Sequence, residues 1–327
     1  VIITKTPFRI SFVGGGSDLA AFYEHHAGAV LSTSINKYMY ISSHHFFEED
    51  KIRTKYSQTE TVSNISELKH PILREALQRF NIKGGLEISS IADVPSGTGM
   101  GSSSSFTVGL LHNLHAVKNQ LATKENLAAG ACEIEIDLLQ EPIGKQDQYA
   151  AAYGGLNLIE FLPDGHVSVN PLYLPKENYH ALQDNLVMYY IGNQRSASAI
   201  LAEQRKNTSE ADKMNALKQM VALVYDLRDA LMKGNLDDMG NILHENWMLK
   251  QSLASGISNP MINEVYNIAM KNGALGGKLL GAGGGGFMLF YCPKEKQANL
   301  TNKLHNLRKF DFTFEQDGSK IIYYNNE

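Results

Sequence analysis

The stretch PSGTGMGSSSS, residues 95–105, runs directly into the apolar FTVGLLHNLHAV. A turn between two elements needs one glycine, yet here Gly97, Gly99 and Gly101 alternate and four serines follow. Glycines so spaced let the backbone turn with its N–H groups pointing inward, a nest that suits phosphate oxygens. Residues 102–118 then read as a helix, because Phe106, Leu110, Leu111, Leu114 and Val117 recur at spacings of three and four. Its first N–H groups have no intrahelical partner, and its dipole is positive at that end. Pro95, Gly97, Gly99, Met100, Gly101, Ser102, Ser103 and Ser104 are thus the expected phosphate-cradling residues. The loop is not a P-loop, which closes on Gly-Lys-Ser/Thr, nor a dinucleotide fingerprint, whose glycines are spaced differently. A surface loop with a serine cap is the competing reading, but it has no use for three glycines.

A second glycine cluster lies near the C-terminus in GALGGKLLGAGGGG, with Gly281 and residues 283–286 between two apolar strands. Such a run serves either the close approach of a ligand, with Gly283 facing it, or a tight connection between domains. Around these clusters the chain alternates short strands and helices as far as about residue 180. Helical stretches follow at about 196–206, 209–233, 236–253, 260–272 and 294–308, separated by a few strands. Asp18 is placed to cap a short helix over DLAAFYEHH, and one helix is expected over 124–139. These features suggest domains of 1–180 and 181–327.

The 327 residues can bury a large core, and the only two cysteines, Cys132 and Cys292, suit a reducing compartment. A net charge of -4 gives no basic stripe for nucleic acid, while one local pocket can still be positive. No apolar run reaches the roughly 18 residues of a membrane helix, and the opening VIITKTPFRISFVGGG lacks a charged-then-apolar leader. The expectation is a cytoplasmic protein with no membrane partner; a homo-oligomer is allowed. The paired histidines and the His112/His115 pair lack the further ligands of a zinc set.

Taken together, KTPFRISFVGGGSDL, PSGTGMGSSSS and KLLGAGGGG resemble, in order and spacing, the three motifs of the GHMP small-molecule kinases. Within that superfamily TPFRISFVGGGSD is similar to the sugar 1-kinase branch, which includes heptose 7-phosphate and fucose kinases. The resemblance implies an α+β fold: an N-terminal domain like ribosomal protein S5 domain 2, and a ferredoxin-like C-terminal domain. It also implies ATP and Mg2+ as cofactors, and a small phosphosugar substrate on a route to surface polysaccharide.

Carried over residue by residue, Ser103 matches the magnesium-binding serine, Asp147 in GKQDQY the catalytic aspartate, and Arg9 the arginine beside the transferred phosphate. Glu135 stands twelve residues before Asp147, at the spacing of an acidic residue near the metal. A charged helix face accounts for its neighbours Glu133 and Asp137. Asp18 matches a sugar-hydroxyl ligand. Gly15 and Gly16 replace a Glu-His pair of galactokinases, opening room for a larger or differently charged sugar. A substrate with its own phosphate requires a second positive site, for which Lys5, Lys145, Arg195 and Lys278 are candidates, Arg195 foremost.

Overall fold

The β-branched, apolar run IITKTPFRISFV forms β1 (Ile2–Val13), whose second half is buried on both faces. It pairs antiparallel with the eighteen-residue β2 (Gly28–His45), and a register shift at Pro7/Phe8 bends the pair just before Arg9. The computed structural model describes residues 1–192 and 197–325. Further strands are β3 (Ile52–Lys55), β4 (Thr59–Val62), β5 (Leu86–Ala92), β6 (Leu156–Phe161) and β7 (Val167–Pro171). The second half adds β8 (Leu186–Gly192), β9 (Gly276–Leu279), β10 (Gly286–Tyr291), β11 (Arg308–Lys309), β12 (Phe314–Glu315) and β13 (Lys320–Tyr324).

The helices are α1 (Ala20–Tyr23), α2 (Pro71–Arg79), α3 (Ser102–Val117), α4 (Lys124–Cys132), α5 (Gln146–Tyr153) and α6 (Lys176–Asp184). They continue with α7 (Ala197–Asn207), α8 (Ala211–Lys233), α9 (Asp238–Gln251), α10 (Pro260–Lys271) and α11 (Gln297–Lys303). The first sheet runs β13-β1-β2-β5-β3-β4, with β6 and β12 also on β2 and β7 outside β6. Its β3–β5 pairing is parallel. The second sheet runs β11-β8-β10-β9 and is antiparallel, giving the two-sheet α+β fold expected.

Three features add to the sequence reading. From beyond residue 180, β12 and β13 return to the first sheet beside β2 and β1. One core also joins the halves: Val224, Leu227, Leu243, Leu280 and Phe287 pack with Phe8, Ile10 and Leu31. The helix expected over 124–139 is α-helical only to Cys132 and continues as a π-helical segment, Glu133–Leu138. The wider turn buries Glu135 while Glu133 and Asp137 face solvent.

Helix α3 packs against β1 and β2. Its buried Phe106, Leu110, Leu111 and Leu114 contribute about 1.5–3 kcal/mol each by leaving water. At its far end His112 Nδ1 lies 3.0 Å from Ser319 Oγ, which also meets Thr6 Oγ1 at 2.9 Å, tying the returning tail to α3 and β1. Burial, with a smaller contribution from His115, pushes the His112 pKa down to about 4. The folded ring therefore stays neutral where an unfolded one, near 6.5, takes up a proton. Its contribution is complete above pH 6.5 and is lost as the pH falls through 4, amounting to at most roughly 3 kcal/mol. Urea unfolding of wild type and H112N at pH 7 and pH 4 should show the wild type losing more stability on acidification; equal losses would contradict this assignment.

Candidate active site

Helix α3 opens at Gly101, whose left-handed φ of 73° turns the chain from the glycine loop into the helix. A Cβ at Gly101 would stand 3.1 Å from Asp147 Oδ2, so the glycine also admits the carboxylate beside the helix start. The start of α3 faces a cleft of about 350 Å³ lined by Gly97, Gly99, Gly101 and Ser102 to Ser104 of the loop, and by Arg9, Asp18 and Asp147. Pro95 and Met100, also expected to cradle phosphate, do not line it. The Pro95 carbonyl accepts from Thr98 Oγ1 at 2.9 Å, and the carbonyl of the buried Met100 accepts from the Arg9 amide at 3.3 Å.

Arg9 and Asp147 form the centre of the cleft. Arg9 Nε donates to Asp147 Oδ1 at 2.7 Å and Nη2 to Oδ2 at 2.8 Å, a two-bond fork that fixes the carboxylate plane. Arg9 Nη1 donates to the Gly99 carbonyl at 2.6 Å, so one guanidinium connects the acid to the glycine loop. Asp147 sits in the first turn of α5, whose preceding residue Gln146 donates through Nε2 to Oδ1 at 3.3 Å.

Glu135, close to the start of α3, is fully buried, unlike the half-buried Asp147. It accepts from Ser103 Oγ at 2.6 Å and from Gln148 Nε2 at 2.8 Å, while Gln148 Oε1 has no partner among the described residues. Burial, against the pull of those donors, pushes its pKa up to about 7. No group of three or more metal-ligating side chains exists among the described residues. A hydroxyl beside one carboxylate nevertheless suits Mg2+, a hard ion that keeps water and takes its other oxygens from phosphates. The burial of Glu135 without a cation against it fits the same group.

On the acceptor side Asp18 does not cap α1, whose preceding Leu19 makes no side-chain cap. Its carboxylate accepts instead from the Gly16 amide at 2.9 Å and the Gln146 amide at 3.2 Å, because Gly144 leaves it room to reach the start of α5. Burial, then the charge of Asp147, holds its pKa above the usual carboxylate range. The room expected at Gly15 and Gly16 is only partly free. Gln204 Nε2 lies 2.2 Å from where a Gly16 Cβ would be, whereas a Gly15 Cβ would meet nothing closer than Ser11 Oγ at 3.6 Å.

Of the other described candidates, only Lys278 lines the cleft. Lys5 is four residues from Arg9 on an extended strand, about 13 Å along it, and its ammonium lies 3.6 Å over the Tyr38 ring. Lys145 Nζ donates to the Gly165 carbonyl at 2.9 Å. Gly283 packs its backbone on Ile257, and it is Gly281 with Ala282 that lines the cleft. Arg195 lies outside the described residues. Lys278 is buried and donates to the Ser11 and Phe12 carbonyls at 2.8 and 2.9 Å. Sequence reasoning missed Lys250 on α9, and Ser198, Leu201 and Gln204 on α7, all of which line the cleft. Only the three-residue spacing on α7 carried a signal.

Residues 68–155 match the N-terminal domain of the GHMP kinases and residues 227–308 their C-terminal domain, together just over half of the chain. The chain belongs to the GHMP kinases. It is 29% identical to the D-glycero-alpha-D-manno-heptose 7-phosphate kinase of Campylobacter jejuni, over 98% of both chains. It is 28% identical to the bifunctional fucokinase/GDP-fucose pyrophosphorylase of Arabidopsis thaliana, over 94% of this chain and 31% of that one. A crystal structure of a D-glycero-D-manno-heptose 1-phosphate kinase from Bacteroides thetaiotaomicron superposes over the full length of both chains with a TM-score of 0.81 at 25% identity.

Replacing Gly101 by valine places a β-branched residue at φ 73° and pushes it toward Asp147. Calorimetry on folded G101V should give an ATP affinity lowered about tenfold or more; wild-type affinity would contradict the placement of phosphate at this loop.

Proposed function

We propose that this protein is an ATP-dependent carbohydrate kinase that transfers the γ-phosphoryl group to the anomeric O1 of D-glycero-D-manno-heptose 7-phosphate, giving the 1,7-bisphosphate and ADP. The observation that carries this reading is the Arg9–Asp147 fork, held at the mouth of the α3 nest by the Gly99 carbonyl. Similarity to the heptose kinases along the whole chain supports the sugar class. In this reading residues 1–180 supply the glycine turn, Ser103 and Glu135 for nucleotide and metal, and residues 181–327 contribute to sugar binding.

Phosphoryl transfer asks for alignment and for charge neutralisation more than for covalent chemistry. In this reading the nest and the start of α3 hold the triphosphate, and Ser103 with Glu135 holds Mg2+, which draws charge from the phosphate oxygens when bound. Asp147 orients the O1 hydroxyl and accepts its proton as O1 bonds to the γ-phosphorus and the bond to ADP breaks. Arg9 keeps the carboxylate aimed and faces the transferring group with the planar donors that suit phosphate. Asp18, anchored by two amides, takes a sugar hydroxyl.

A fucose-type 1-kinase is the second reading, favoured by the match to a fucokinase over nearly the whole chain. An ADP-release screen across heptose 7-phosphate, heptose, fucose, mannose, galactose and mevalonate separates the two, with product NMR to place the new phosphate. The expected result is turnover of the 7-phosphate with phosphorus appearing at O1; turnover of fucose alone selects the second reading. On the preferred acceptor, D147A should lose kcat about a hundredfold or more with ATP affinity retained, and near-normal turnover would remove Asp147 from this role.

A further inference from the structure

Lys250, in the last turn of α9, is 6% exposed and lines the same cleft as Arg9 and Asp147. Among the described residues its ammonium makes one hydrogen bond, to the Gly281 carbonyl at 2.6 Å. Burying an ammonium with no carboxylate bonded to it is expensive, so the position calls for an anion that is not part of the chain. The backbone shows where that anion lies. A Cβ at Gly281 would stand 2.3 Å from Gly99 Cα, so the two loops touch. Arg9 hangs from the Gly99 carbonyl and Lys250 from the Gly281 carbonyl, each at 2.6 Å. The two cations are thereby suspended from adjacent peptides and approach one cleft from opposite halves of the chain.

From this geometry we infer that Lys250 is a further catalytic residue, whose ammonium contacts the terminal phosphoryl group of the bound nucleotide and offsets its charge during transfer. The inference rests on the kinase reading above but not on the identity of the sugar. Four charged groups face Lys250: Arg9 from β1, Asp18 before α1, Asp147 from α5 and Lys278 from β9. Burial, followed by repulsion from Arg9, lowers the Lys250 pKa to about 8 against the opposing pull of Asp18 and Asp147. In its protonated form it complements a phosphoryl group, and above pH 8 that charge is lost. A structural tether alone would serve to clamp α9 to the glycine loop, and would show no preference between nucleotides.

Calorimetric titration with Mg2+ and either ADP or the non-hydrolysable β,γ-imido analogue of ATP tests the contact without any sugar. K250M should lose about tenfold or more of the wild-type preference for the triphosphate while ADP affinity stays within about twofold. K250R should keep that preference. An unchanged preference in folded K250M overturns the proposal; if K250M does not fold, K250Q is titrated in its place under the same criterion. With whichever acceptor the wild type turns over, kcat should fall above about pH 8 in wild type and stay level there in K250R; the same alkaline fall in K250R counts against the ammonium. A sugar screen without turnover would defeat the functional reading while leaving the nucleotide titration to decide Lys250.

Discussion

Two glycine loops, far apart in sequence, meet backbone to backbone in the middle of this molecule. Gly99 of the first lies against the Leu280 carbonyl, Gly281 of the second lies on Gly99, and Gly286 lies on the Thr98 carbonyl, all at distances that leave no place for a Cβ. The approach explains both clusters at once. The second cluster lets the β9–β10 connection close on the first glycine loop, and its Gly281 still reaches the cleft. The contact fixes the mouth of the site and spaces the cations that hang from the two loops.

Electrostatics follows from that closure. Arg9, Lys250 and Lys278 are all buried near Asp18 and Asp147, and among the described residues only Arg9 is bonded to a carboxylate. Lys250 and Lys278 are pushed toward neutrality by burial, Glu135 and Asp18 toward protonation. A site in which several buried charges are all held in their less comfortable state is prepared for a polyanion and its metal rather than for stability. In the proposed reading a bound triphosphate would supply the counter-charge for the lysines, and a divalent ion would supply it for Glu135.

The glycine turn and the α3 helix were legible because their signals are local: alternate glycines, then apolar residues at helical spacing. Arg9, Asp147 and Ser103 were reached through motif resemblance, and the structure brings all three to one cleft. Residues whose placement depends on a distant partner were harder to read. Asp18 looked like a cap for α1, but Gly144 lets it reach α5, 128 residues away. Lys5 carries the right charge at the wrong end of β1, and Gly283 belongs to the right cluster with its backbone turned onto Ile257. Lys250 and Gln204 were invisible as site residues, because a lysine or glutamine in a polar helix reads as solvent-facing until tertiary packing buries it.

The central claim is that the Gly97–Gly101 turn and the Arg9–Asp147 fork address one phosphoryl transfer. A crystal structure with Mg2+, a non-hydrolysable ATP analogue and the preferred acceptor tests it most directly. The account predicts the terminal phosphate between the start of α3 and Arg9, with the acceptor oxygen about 2.6–3.2 Å from an Asp147 oxygen. A triphosphate bound away from α3, or an acceptor hydroxyl turned from Asp147, would contradict it.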